Sequence, residues 1–263
     1  MYNFKQCELS VIAPLRKAYL DSLPEAQELF LEWIVTKGTC YLVRSKYNDE
    51  GYFIISADAI LVEFYLNPEV LPNVHEVFAG FINEKKITQV LCKSFDGVLL
   101  GCCLHENLHY KLFGKLFRGY SNVDLRDPSA FTYIVFGTED DYDMLIKYDS
   151  GLYDTQEDLY YLLKNRQLLK YYVGKNLIGC GFLISLHEFG NHTDIGMWVD
   201  TPFRQKGYAT RIIADLKWRC LTGGLIPTCG CAAENTASKH TLEKNGFYSR
   251  YDLIFFSSCQ PTF

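Results

Sequence analysis

The chain has 263 residues, 48% of them hydrophobic and 15% aromatic, so there is apolar material for a filled core and length for one large domain or two ordinary ones. Charged residues make up 22%, near the globular average, which excludes wholesale disorder. The net charge of −5 lacks the basic footprint of a nucleic-acid binder, and no uncharged stretch approaches the length of a membrane span, so neither nucleic acid nor membrane is an expected partner.

Residues 1–36 read as helical, with Ser22-Leu23-Pro24-Glu25 as a helix start in which Ser22 is the N-cap. Three β-rich runs follow, 40–43, 52–55 and 59–66, separated by polar turns and ended by Asn67-Pro68. Residues 72–86 are amphipathic, with Val74, Val77, Phe78, Phe81 and Ile82 on one face. Then come a strand over 87–92, a helix over 96–104 (a hairpin being the alternative) and an apolar run, 110–117. The aromatic residues Phe53, Phe64 and Tyr65 are expected in the core.

The second half restarts the pattern. A strand over 131–136 precedes two acidic helix starts, at Thr138 and Thr155. Strands over 168–173 and 177–185 form a hairpin through Gly174-Lys175-Asn176 and are followed by a strand over 193–199. A helix over 209–221 stops at Gly223-Gly224, a short strand covers 226–231, a helix covers 236–244, and the last strand covers 248–256. This order gives an α/β (α+β) fold with a mixed central sheet flanked by helices. The order from 59 to 117 repeats that from 193 to 256, so two tandem halves are expected, 1–125 and 126–263, divided at the polar stretch 121–128.

Ten cysteines lie mostly within apolar runs, with no C-x-x-C pair, so they read as reduced core thiols rather than zinc ligands. Charges at Lys5, Glu8, Arg16 and Lys17 leave no apolar signal region, and a cytoplasmic protein is expected.

The chemistry concentrates between Asp194 and Thr210, a strand, a short loop and a helix start. Gly207 permits a close approach or a conformation barred to other residues. Amides of the loop and first helical turn are unpaired at the positive end of a helix dipole, and Arg204 and Lys206 add charge, so an anionic, phosphate-bearing ligand suits the site. Neither a nucleotide P-loop nor a dinucleotide glycine motif is present.

Val199, four residues, then Arg204, Gly207 and Ala209 match the R/Q-x-x-G-x-G/A pattern of the GNAT N-acetyltransferase superfamily, and 235–247 resembles that family's N-x-x-S-x-x-x-x-E-K-x-G-F ending. The resemblance covers about 130 residues in order and spacing. It implies acetyl-CoA as cofactor and no metal. It places the pantetheine arm along Met197, Trp198 and Val199. The pyrophosphate falls at Arg204, Gln205, Lys206, Gly207, Tyr208, Ala209 and Thr210, with Asn235 and Ser238 beside the arm. It further implies direct attack of an amine, either a small molecule or a peptide N-terminus, on the thioester. The tyrosine that many members use as acid falls at Leu242 here, so Ser238 becomes the candidate donor, with Tyr248 behind it. Asp194 and Glu188 are the candidate bases. His187, His192 and His240 are expected at the surface. The first half has no arginine or glycine in its loop 67–72, so it should not hold a pyrophosphate and is expected to act in packing and in shaping the substrate site. The competing reading is a domain that holds acyl-CoA as a sensor or interaction module with little catalysis.

Overall fold

The computed structural model describes residues 2–148, 151–153, 155–186 and 190–259. Contacts divide the chain into two compact units, Met1–Leu116 with Ala232–Glu234 and Tyr251–Phe263, and Phe117–Cys231 with Asn235–Arg250. The division does not follow a single cut at 125/126. The strands β6 (His109–Tyr120) and β12 (Phe247–Ser257) each lend residues to both units.

The first unit contains β1 (Asn3–Cys7), β2 (Thr39–Arg44), β3 (Asp49–Ile55), β4 (Ile60–Leu66) and β5 (Gln89–Lys93), in that order across its sheet. The strand beside β5 is β12, paired antiparallel from Leu253↔Lys93 to Ser257↔Gln89. Side chains alternate along β3, so two cores form. Phe53 and Ile55 pack with Phe78, Phe81 and Leu99 of α3 (Val74–Lys85) and α4 (Gly97–His105). Tyr52 and Ile54 pack with Ile12, Tyr19, Leu31 and Val35 of α1 (Leu9–Ser22) and α2 (Leu29–Lys37). Phe53 and Phe64 are buried as expected, whereas Tyr65 is only half-buried.

The helical reading of 1–36 fails at both ends of α1. Asn3–Cys7 is a strand, because its backbone groups find partners along β2 from Asn3↔Arg44 to Cys7↔Cys40. Ser22 ends α1 rather than capping the next helix, and its hydroxyl donates to the Tyr19 carbonyl. The cap of α2 is Glu28, whose carboxylate accepts from the Phe30 and Leu31 amides.

The second unit contains β7 (Tyr133–Phe136), α5 (Tyr142–Leu145), α6 (Gln156–Lys164), β8 (Leu168–Val173), β9 (Asn176–Ser185), β10 (His192–Val199), α7 (Tyr208–Thr222), β11 (Ile226–Ala232) and α8 (Thr236–Lys244). Its sheet runs β7-β8-β9-β10-β11, with β6 beyond β11. Leu169, Tyr171, Ile195 and Val199 pack beneath Ile212, Ile213 and Leu216 of α7. Gly179 and Gly181 bring β9 close under that helix: a Cβ on Gly181 would stand 3.0 Å from Leu216.

Lys217 of α7 ties this unit together. It is buried, and its ammonium donates to the carbonyls of Ser121 (2.7 Å), Val123 (3.2 Å) and Asn245 (2.8 Å). Burial pushes its pKa down, with Asp124 opposing. Replacing it with Met keeps the stem but leaves these carbonyls unmet. Lys217→Met is expected to cost about 2–3 kcal/mol in urea unfolding; a loss below about 0.5 kcal/mol would show that water answers these carbonyls equally well.

Candidate functional site

Strand β10 separates from its neighbour. It pairs parallel with β11 only from His192↔Ile226 to Asp194↔Thr228, while its other edge stays paired with β9 as far as Val199↔Gly179. From Ile195 onward, the edge facing β11 therefore presents backbone groups without a ladder. A cavity of about 570 Å³ opens there, within the usual range for small-molecule and cofactor sites. Its walls are Gly151, Met197, Trp198, Val199, Phe203, Arg204, Gln205, Gly207, Ala209, Thr210, Asn235, Ala237, Ser238, Thr241 and Lys244.

The loop between β10 and α7 explains one wall. Residues Thr201–Phe203 form a 3-10 turn, and Gln205 (φ 60°) and Gly207 (φ 81°) are both left-handed, which turns successive amides toward one side. Gly207 is the N-cap of α7 and offers no side-chain cap, and the helical ladder closes with the Arg211 amide bonded to the Gly207 carbonyl at 3.3 Å. The amides of Tyr208, Ala209 and Thr210 thus precede the ladder at the positive end of a 15-residue helix. Arg204 also has a contact within the loop. Its Nε donates to the Val199 carbonyl at 2.9 Å, so it staples the loop to the strand end as well as lining the cavity.

Helix α8 supplies the facing wall. Asn235 caps it, accepting from the Ser238 amide at 3.0 Å. The Thr241 hydroxyl is spent on the Ala237 carbonyl, whereas the Ser238 hydroxyl has no hydrogen bond among the described residues and borders the cavity.

Family comparison decides the identity. A model described as "Acetyltransferase (GNAT) domain" matches residues 8–119, and one described as "Acetyltransferase (GNAT) family" matches 128–247. The chain belongs to the GNAT acetyltransferases. It carries two such domains in tandem. Among solved structures, an "Acetyltransferase from GNAT family from Colwellia psychrerythraea" aligns at TM-score 0.85 and 19% identity, covering 97% of this chain and 99% of that one. A "Tandem GNAT protein from the clavulanic acid biosynthesis pathway" aligns at TM-score 0.65 and 10% identity over 100% of both chains. A GCN5-related N-acetyltransferase from Sphaerobacter thermophilus aligns at 0.62 and 13%, covering 100% of this chain and 97% of that one. At these identities the likeness establishes the fold. No curated protein matches the chain significantly.

Within this GNAT domain the structure brings together Met197, Trp198, Val199, Arg204, Gln205, Gly207, Ala209, Thr210, Asn235 and Ser238 at one cavity. Lys206 of the loop and Tyr208, the first residue of α7, are not in the cavity wall. The Lys206 ammonium donates to the Pro202 carbonyl, and the Tyr208 ring packs on Phe131 and Phe203. Asp194 sits at the last rung of the β10–β11 ladder, also outside the wall. Glu188 and His187 lie outside the described residues. Leu242 is buried in the core under α7, and the Tyr248 ring lies against Gly119, so neither faces the cavity. The sequence reading missed Gly151, Phe203, Ala237, Thr241 and Lys244. Helical spacing from Ser238 would have found Thr241 one turn on.

In the basic run Lys111, Lys115 and Arg118, two of the three cations have partners. Lys115 pairs with Asp252 at 2.6 Å, and buried Arg118 donates to the Cys229 carbonyl at 3.0 Å. All ten cysteines are free thiols. Burial pushes the thiol pKa of Cys40 up to about 11, and those of Cys102 and Cys220 to about 12. Among the described residues no group of three His, Cys, Asp or Glu is placed to hold a metal, and no helix is long and apolar enough to cross a membrane.

Proposed function

We propose that the second domain transfers an acetyl group from acetyl-CoA to a primary amine, of a small molecule or a peptide N-terminus, by direct attack in a ternary complex. The observation that carries this reading is one cavity bounded by the unladdered end of β10, an uncapped helix N-terminus and the Asn235–Ser238 turn. The helix N-terminus suits the pyrophosphate, and the free backbone edge of Met197–Val199 suits the amides of the pantetheine arm. The residues present thus fit the cofactor, which supplies an activated acyl group. Holding thioester and amine in one geometry accounts for much of the rate. A strand amide at Met197 would answer charge developing on the carbonyl oxygen. Ser238, whose hydroxyl borders the cavity, would give a proton to the leaving sulfur. Asp194 and Glu188 are the candidate bases that would take the amine's proton through water.

A second reading has one observation in its favour. Leu242 replaces the expected phenol and points into the core, which suits a domain that holds acyl-CoA without turning it over. Calorimetric titration of acetyl-CoA, followed by a thiol-release assay over a panel of amines and peptides, separates the two. Binding with amine-dependent release is expected. Binding without release on any amine would establish the sensor, and absence of binding would end both readings.

A further inference from the structure

One buried donor in the cavity wall is left without a partner. Trp198 is only 4% exposed, yet its indole Nε1–H finds no hydrogen-bond acceptor among the described residues. A desolvated donor with nothing to donate to is destabilising, and native proteins rarely keep one without a use.

The register fixes the side of the sheet on which this group lies. Ile195 and Val199 face α7, so Trp198 faces the other way. Across that face Trp198 stands opposite Cys180, and Cys180 opposite Lys170, whose ammonium is paired with Asp141 just before α5. Tyr148, after α5, packs edge-on against the indole at 5.4 Å and 78°. Gly151, at φ +106°, completes the surround: a Cβ there would stand 3.9 Å from Cδ1, the ring atom bonded to Nε1. This edge of the ring therefore lies beside Gly151, a described wall residue of the segment between α5 and α6.

We infer that the Trp198 indole N–H is a positioning donor for the amine substrate, which must then carry a carbonyl or carboxylate oxygen a few bonds from its reactive nitrogen, as an aminoacyl amide or a peptide N-terminus does. This inference rests on the amine-transfer reading and narrows its substrate class. The indole is held by Tyr148 and by strand pairing, so the donor's direction is fixed beforehand and only the groups covering it give way when the oxygen arrives. A plain alkylamine leaves it unanswered, and a site with a buried polar group rejects the analogue lacking its partner.

The chain has three tryptophans, Trp33, Trp198 and Trp218, so 15N-indole spectra carry three side-chain signals, assignable from Trp33→Phe and Trp218→Phe. CoA plus glycinamide or β-alaninamide is expected to move the Trp198 proton downfield, whereas CoA alone or CoA plus propylamine leaves it in place. In transfer assays Trp198→Phe should raise KM for the two amides roughly tenfold more than it raises KM for propylamine, the worth of about one hydrogen bond. Comparing variant with wild type for each amine cancels differences in amine basicity. Equal losses on amides and propylamine, or a Trp198 signal that no amine moves, would overturn the inference. A moving signal without thiol release on any amine would keep the donor and remove the transferase reading.

Discussion

Gly207→Glu is expected to weaken acetyl-CoA binding by more than about 100-fold, measured by calorimetry, while the protein still unfolds cooperatively near the wild-type midpoint. The two effects separate because of where Gly207 stands. It caps α7 in the left-handed region, at φ 81°, and a Cβ built on it meets nothing within 4 Å. The folding penalty is then confined to a side chain in left-handed backbone, about 1–2 kcal/mol. The binding penalty is larger. The open space in front of Gly207 is bordered by the first-turn amides and is where an anion would sit. A carboxylate there competes for those amides, and a like charge at about 4 Å in a partly screened site costs on the order of 4 kcal/mol. Gly207→Ala separates the causes, since it brings the strain and the methyl but no charge, and should lose far less affinity. If Gly207→Glu bound within about threefold of wild type, the phosphate site would have to lie elsewhere.

The loop was legible because its function depends on backbone rather than side chains. A glycine before a helix, at a fixed distance after a strand, is a local pattern, and Gly207 as N-cap of α7 needs no distant partner. Helix and strand order was legible for the same reason, down to α4 and the β8–β9 hairpin through Gly174 (φ 59°). What the sequence hid was non-local. Nothing in Asn3–Cys7 announces a strand until β2 is available to pair with it. The Ser22–Glu25 pattern fits a capping box, yet α1 runs through to Ser22 because its apolar face continues to Tyr19 in the core. Arg204 is pointed at the pyrophosphate by charge and the R/Q-x-x-G-x-G/A pattern together. Its bond to the Val199 carbonyl depends on a loop geometry set by left-handed Gln205, a non-glycine residue that gives no warning. Asp194 is the candidate base and Ser238 the candidate acid; the fold puts Asp194 at the Asp194↔Thr228 rung and Ser238 at the cavity.

Glu63 shows the same limit in the first domain and carries the largest stability effect expected. It interrupts the apolar run Ile60-Leu61-Val62-Glu63-Phe64-Tyr65-Leu66 and is fully buried on β4. A charge in such a run requires partners, and all of them come from other elements. Arg16 of α1 reaches it with Nε at 3.0 Å and Nη2 at 2.8 Å, Gln27 donates at 2.7 Å, and the Tyr52 hydroxyl donates at 3.0 Å. Burial opposes the Arg16 charge, but Glu63 and then Glu32 outweigh it, and the pKa of the guanidinium is raised. Burial pushes the Tyr52 phenol well up, with Glu63 adding to it, so it stays a donor. Removing the acid alone takes away the main partner of a largely buried cation and leaves it only Glu32, at 2.8 Å. Glu63→Ala is therefore expected to cost about 3–5 kcal/mol, lowering the midpoint of its domain by on the order of 10–20 °C in calorimetry. Removing both charges is a different operation. In Arg16→Met with Glu63→Leu the fully buried ion is gone and only Glu32, with its side chain 13% exposed, loses a partner, and apolar replacements of similar size often match the stability of a buried pair. The double variant should regain most of the loss. If it is no more stable than Glu63→Ala, the cost comes from the cavity rather than the cation's lost partner, and α1 is held to β4 by packing, with the ion pair contributing little.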